Sequence, residues 1–196
     1  MLVCANTTNI NLNGHISNKM DTYKLNYTKA ELEILLFLLE RTGESFSQRE
    51  IAQALNISPT TITNALPQLE EHIEIKQTKT ANYITANRNN KKTRQLKRAN
   101  NLKNIYTTGL AQHLEEELAG ATIILFGSYS KGEDTNTSDI DIAVINRKPK
   151  QLNLQTYEQA LHRPIRTQHY PTLQDIHAPL RNNILNGIVL AGSIDL

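Results

Sequence analysis

Two short stretches of this chain carry side chains in an order that suits phosphate chemistry. The apolar run Ile123-Ile124-Leu125-Phe126 ends on Gly127-Ser128, ten residues follow, and then comes Asp139-Ile140-Asp141. A strand ending in Gly-Ser lets the backbone approach a phosphate, because glycine has no Cβ to stand in the way. The Ser128 hydroxyl and N–H groups at a helix start can donate to phosphate oxygens. Lys131 adds a point charge, and Gly132 lets the loop turn. Asp139 and Asp141 stand two apart on a β-type run, so both carboxylates leave the same face, with Ile140 and Ile142 pointing into the core behind them. Twin carboxylates opposite a polyphosphate make a hard-oxygen site for Mg²⁺, which binds through one or two acids plus substrate phosphates. The chemistry that fits is nucleotidyl transfer: triphosphate charge is neutralised while the α-phosphorus is attacked and pyrophosphate leaves. Each stretch alone is a weak signal, since surface strands often carry alternate acids. Their combination on a strand–loop–strand pattern carries the reading.

Those residues need a scaffold. Thr122–Phe126 reads as a strand, 127–138 as a loop and 139–145 as a strand. A helix near 154–161, a strand over Ile165–Tyr170, a helix over about 172–186 and a last apolar run at 188–190 complete this half. Ahead of it the pattern is helical. Leu32, Leu35, Leu36 and Leu39 recur at three- and four-residue spacing, and Gly43 closes that run. Ser47 with Glu50 three residues on makes a capping box for a second helix, whose buried face is Ile51, Ala52 and Leu55. Ser58 caps a third helix with Pro59 at its first position, where the missing N–H costs nothing. Ile62, Leu66 and Leu69 form its inner face. Pro67 argues that this helix ends or kinks near its own position. Short strands at 73–76 and 83–85 flank a turn at 79–82, so three helices precede a small hairpin, the order of a winged helix-turn-helix. A long helix then runs over about 91–118. Its buried stripe is Leu96, Ala99, Leu102, Ile105, Tyr106, Leu110 and Leu114, and Gly120 is its stop.

The expected organisation is a polar tail over 1–22, a winged helix-turn-helix domain over 23–88, a basic connecting helix over 89–119 and a catalytic-type α/β domain over 120–196. The fold class is α+β, with a mixed sheet in the last part. No run of eighteen apolar residues is present, and the N-terminus does not read as a secretion signal. The single cysteine, Cys4, cannot form an intramolecular disulfide. Together these point to a cytoplasmic protein with no membrane partner. The net charge of +2 hides a local excess: no acid lies between Glu74 and Glu115, an interval holding Lys76, Lys79, Arg88, Lys91, Lys92, Arg94, Lys97, Arg98 and Lys103. Such a block attracts polyanions, although charge runs are more often solvated helix faces.

The segments Phe126-Gly127-Ser128-Tyr129-Ser130-Lys131-Gly132 and Ser138-Asp139-Ile140-Asp141-Ile142-Ala143-Val144 resemble the minimal nucleotidyltransferases of the DNA polymerase β superfamily. The closing stretch from Pro179 to Leu190 resembles that family's last helix and strand. The resemblance implies that Gly127, Ser128 and Lys131 hold nucleotide phosphates, and that Asp139 and Asp141 are catalytic and ligate two Mg²⁺ ions. ATP or another nucleoside triphosphate would be the substrate, with AMP passed to an acceptor. Small members of the family often nucleotidylate a partner toxin, so a protein hydroxyl is the expected acceptor, and a second copy of the chain is a further expected partner. The family usually has a third carboxylate on the strand after the helix; here that strand, Ile165-Arg166-Thr167-Gln168-His169-Tyr170, has none, and Gln168 or His169 is read into its place. Asp175 and Glu158 lie nearby in sequence. Residues 28–87 resemble winged helix-turn-helix domains, which implies double-stranded DNA as partner: Thr60, Thr61, Thr63 and Asn64 face the major groove, and Lys76 and Lys79 meet phosphates. The rival reading is a DNA-binding regulator whose nucleotidyltransferase-like domain is catalytically idle.

Overall fold

Capping and apolar spacing shape the first half of the molecule. The computed structural model describes residues 27–78 and 81–194, so the tail over 1–22 and Lys79 lie outside the described residues. Helix α1 (Lys29–Glu40) opens on a reciprocal capping box between Thr28 and Glu31. Strand β1 is the two-residue Phe46–Ser47, and Ser47 then caps helix α2 (Gln48–Leu55) in the box with Glu50. Asn56 closes α2 in the left-handed region, which asparagine tolerates. Helix α3 (Pro59–Leu69) starts on the Ser58 cap with Pro59 in its first turn. Pro67 lies inside it, and the helix ends two residues later at Leu69, close to the expected stop. The proline sits in the last turn, where it deprives the helix of a single bond, and the buried Leu69 beyond it holds the turn in place.

Strands β2 (Ile73–Gln77) and β3 (Asn82–Ala86) form the hairpin, and β1 joins β3 to give a sheet ordered β1-β3-β2. Ile34, Leu38, Ile51, Ile62, Leu69 and Ile84 close one core beneath them. Three helices and a three-stranded wing are the winged helix-turn-helix order.

The connecting helix departs from expectation twice. It is two helices, α4 (Lys91–Thr107) and α5 (Leu110–Glu117), broken at Gly109, whose φ of +80° ends the first. Its buried stripe is also largely polar: α4 hides Thr93, Lys97, Asn100, Asn101 and Ile105, while Tyr106 is half exposed. The cause is position. Leu96 packs on the first core and Ile105 belongs to the second, so the middle of α4 crosses between two cores and meets polar groups there.

Strands β4 (Thr122–Phe126), β5 (Ile140–Ile145), β6 (Ile165–Tyr170) and β7 (Ile188–Ala191) make a mixed sheet ordered β6-β5-β4-β7. Only β5 and β6 run parallel, and the helix between them, α7 (Gln155–Leu161), supplies the crossover. Ile123, Leu125, Ile142 and Val144 pack with α5 on one face. Ile124, Phe126, Ala143 and Ile145 pack on the other with Leu173, Ile176 and Ile184. The last helix, α8 (Ala178–Leu185), is shorter than its expected 172–186, because Thr172 donates to Asp175 and closes a separate turn.

A buried ionic cluster joins the halves. Lys97 Nζ lies 3.1 Å from Asp134 Oδ2 and donates to the Leu39 carbonyl at 2.5 Å. Asn101 donates to Asp134 Oδ1 at 2.7 Å, and Arg163 lies 3.9 Å from the same carboxylate while donating to the Glu40 carbonyl at 2.9 Å. Burial holds the Lys97 ammonium below the usual lysine range, with Asp134 pulling the other way. The loop after the Gly-Ser bend is thereby tied to α1, α4 and the end of α7.

Candidate functional site

Strand pairing sets the site. Phe126, the last residue of β4, stands in register with Asp141 of β5, so the bend at Gly127 falls beside the Asp141 carboxylate. Gly127 has φ +75°, and a Cβ placed there would come 2.5 Å from Asp141 Oδ2. Glycine is therefore required twice, for the left-handed backbone and for the close approach. A short helix, α6 (Gly127–Lys131), occupies the start of what reads in the sequence as a loop. Ser128 is half-buried at its first turn, and its hydroxyl meets no acceptor or donor among the described residues. Gly132 ends α6 at φ +72°, and a Cβ there would strike the α4 backbone at the Arg94 carbonyl.

The carboxylates differ in environment. Burial, reinforced by the Asp139 charge, raises the Asp141 pKa, and Arg166 offsets this in part. Asp139, just before β5, receives the Arg166 guanidinium, with Nε 2.7 Å from Oδ2. Lys131 is exposed and its Nζ donates to Asn183 of α8 at 2.7 Å, so its ammonium is held toward that helix. The structure thus brings Gly127 to Asp141, with Asp139 two residues earlier on the same run; Ser128 lines a cleft with Arg88, Arg94 and Gly132, and Lys131 stands on the α8 side.

Register also answers what fills the third acid's place. In the parallel β5–β6 pair, Asp141 faces Arg166, Ala143 faces Gln168 and Val144 faces His169. Side chains alternate along a strand, so His169 shares the face of Val144 and is turned away from the acids. Gln168 is one step further along the correct face, where it accepts from the Tyr170 hydroxyl at 2.7 Å. The residue beside the acid pair is Arg166, a cation. Sequence reading passed over it, although its place two residues before Gln168 was the available signal. The two nearby acids are committed elsewhere: Glu158 accepts from the Ile165 N–H at 2.9 Å, and Asp175 accepts from Thr172.

Asp139 and Asp141 are the two carboxylates of the site that could hold a divalent ion. Asp141 is partly shielded, and burial first and the Asp139 charge second raise its pKa. Among the described residues no group of three or more histidine, cysteine or acidic side chains converges on a metal position.

On the N-terminal part, Thr60 and Asn64 of α3 are exposed with no intramolecular partner. Thr61 is engaged by the Ser58 cap at 2.9 Å, and Thr63 donates to the Pro59 carbonyl and to Gln48. Lys76 is exposed on β2. The basic interval is not one solvated face: Lys92 pairs with Glu71 at 2.8 Å, Lys97 is buried, and Arg94 donates to the carbonyls of Arg88 and Asn89. No helix among the described residues is long and apolar enough to cross a membrane.

Comparison with known families agrees with this geometry. Residues 109–193 match the family model described as polymerase beta, nucleotidyltransferase, and residues 31–89 match one described as an HTH domain. No curated protein and no solved structure matches the chain. The C-terminal part thus carries a nucleotidyltransferase-like domain of the polymerase beta description, and it stands behind an N-terminal helix-turn-helix domain.

Proposed function

We propose that this chain is a Mg²⁺-assisted nucleotidyltransferase that passes AMP from ATP to a hydroxyl on a protein acceptor, and that it binds double-stranded DNA through α3 and the wing. The observation that supports the reading is the approach of Gly127 to the Asp141 carboxylate, which sets a phosphate-accepting bend against an acid pair. A divalent ion held by Asp139 and Asp141 supplies charge neutralisation for the triphosphate. The chain's own contributions are the Ser128 hydroxyl, free to donate to a phosphate oxygen, and the exclusion of bulk at Gly127. In the reaction the acceptor oxygen bonds to the α-phosphorus, the bond to pyrophosphate breaks, and the hydroxyl proton leaves to solvent. That last step lacks a dedicated carboxylate base, so turnover is slow. A DNA-binding domain on the same chain suits an antitoxin that modifies a toxin and represses its own operon.

The test is transfer of label from α-³²P-ATP to a co-purifying protein. Label that requires Mg²⁺ and disappears in Asp139→Ala and Asp141→Ala supports the reading; no transfer from any nucleoside triphosphate by folded protein removes it. One observation favours a second reading, a DNA-binding regulator with an idle site: Arg166 sits on Asp139 where a third acid would complete the machinery. Under that reading both alanine variants bind DNA as the parent does, and nucleotide changes DNA affinity without labelling anything.

A further inference from the structure

Arg166 is half of an unusual exchange of charge. In β6 it is the residue in register with Asp141, and its side chain reaches back to Asp139. Asp141 therefore has the Gly127 bend on its β4 side and Arg166 on its β6 side. Two strand spacings separate bend from arginine, about 10 Å, a gap that a triphosphate chain and an extended arginine span together. Only Nε is committed. Nη1 and Nη2 meet no acceptor among the described residues, and the side chain is 67% exposed. A guanidinium with two free edges is matched to phosphate oxygens, which it binds in a planar fork.

Charge balance gives this a definite meaning. A site with three carboxylates and two divalent ions carries one net positive charge toward its substrate. Two carboxylates, one guanidinium and one divalent ion carry the same. Replacing an acid by an arginine thus removes a metal and its ligand in one step and leaves the net charge facing the polyphosphate unchanged.

We propose that Arg166 is a resident cation of the nucleotide site, standing in for one divalent ion, so that a nucleoside triphosphate binds here with one such ion and not two. The proposal rests on the reading that this site takes a nucleoside triphosphate. It makes Arg166 a phosphate-contacting residue anchored by Asp139, and it makes Asp141 the principal ligand of the single ion.

The experiment counts ions. Mn²⁺ binding is followed by electron paramagnetic resonance, with and without a non-hydrolysable ATP analogue, in the full chain and in Arg166→Ala and Arg166→Asp. The parent is expected to hold one Mn²⁺ per bound analogue and Arg166→Asp two. Loss of charge-assisted bonds worth about 1.5–3 kcal/mol corresponds to analogue binding weakened roughly 10- to 100-fold in Arg166→Ala. Without nucleotide, both variants free Asp139 and bind Mn²⁺ more tightly than the parent. Two Mn²⁺ ions in the parent complex overturn the proposal, as does unchanged analogue and Mn²⁺ affinity in both variants. If neither the parent nor any variant binds the analogue yet nucleotide-free Mn²⁺ affinity rises in the variants, the nucleotide reading fails while Arg166 stands as the cation that blocks the metal position. Exposure of the side chain keeps the variants folded, which a thermal melt verifies.

Discussion

Asp134 and Asp139 lie five residues apart on one loop, each beside cations, and their surroundings could hardly differ more. Asp134 is fully buried between Lys97 and Arg163, whose side chains are 4% and 7% exposed, and Asn101 satisfies its second oxygen. Asp139 is partly open, and its partner Arg166 is mostly in water. In the first cluster the low surrounding dielectric makes each charge costly without the others, so removing one is severe. In the second, water screens the pair and its formation is worth little. The difference teaches which acid serves the fold and which is free to serve a ligand. A clamp must be dry; a site that exchanges partners must be wet.

That contrast can be broken most sharply at the buried end. Asp134→Ala leaves two cations uncompensated between the halves of the molecule, and urea unfolding is expected to show a loss of about 3–5 kcal/mol. A loss as small as that of an exposed pair would abolish the distinction. Next in size is Gly132→Ala, which forces a side chain against the α4 backbone at a left-handed position. Overpacking and backbone strain together are expected to cost about 2–4 kcal/mol, read from the same midpoint. At the open site, Arg166→Ala is expected to change stability by less than about 1 kcal/mol. A larger loss would mean that Arg166 supports the fold and not a ligand.

The smallest effect has the opposite sign. Asp141 has its pKa raised by burial first and by Asp139 second, so its folded form holds a proton more tightly than its unfolded form. Native stability therefore falls as pH rises from the ordinary carboxyl range through the raised value, and is level above it. Asp141→Asn escapes that fall. Its unfolding midpoint is expected to lie slightly above the parent's at neutral pH and to coincide with it near about pH 3, below the ordinary carboxyl pKa. A variant less stable than the parent at neutral pH would show Asp141 to be a structural acid like Asp134.

Much of the fold is legible along the chain because its cues are local. Ser47 with Glu50, Ser58 with Pro59, and the run at Thr122–Phe126 act within a few residues, and the helices and strands appear where those cues put them. The helix expected over 91–118 differs from the observed α4 and α5 for a reason of the same kind in reverse. Leu96, Leu102 and Ile105 promise an apolar stripe, but what α4 buries depends on Asp134, 37 residues beyond Lys97 and across a domain boundary that periodicity does not see. The basic interval misled similarly: Lys92 and Lys97 are committed to Glu71 and Asp134, acids outside the interval.

The candidate site divides along the same line. The spacing of Gly127, Ser128, Asp139 and Asp141 is a property of the sequence, because two consecutive strands paired antiparallel bring the acid pair back to the end of the first. The neighbour of those acids on β6 is different. Which of Arg166, Gln168 and His169 stands beside Asp141 depends on the register of a parallel pair formed across α7, and sliding that register by one residue exchanges the two faces of the strand. Strands β4 and β5 follow one another along the chain and pair antiparallel across the 127–139 connection, so their adjacency is legible from order alone. Parallel neighbours acquire their register from the packing of both sheet faces, so only the assembled tertiary structure could set an arginine beside the acid pair.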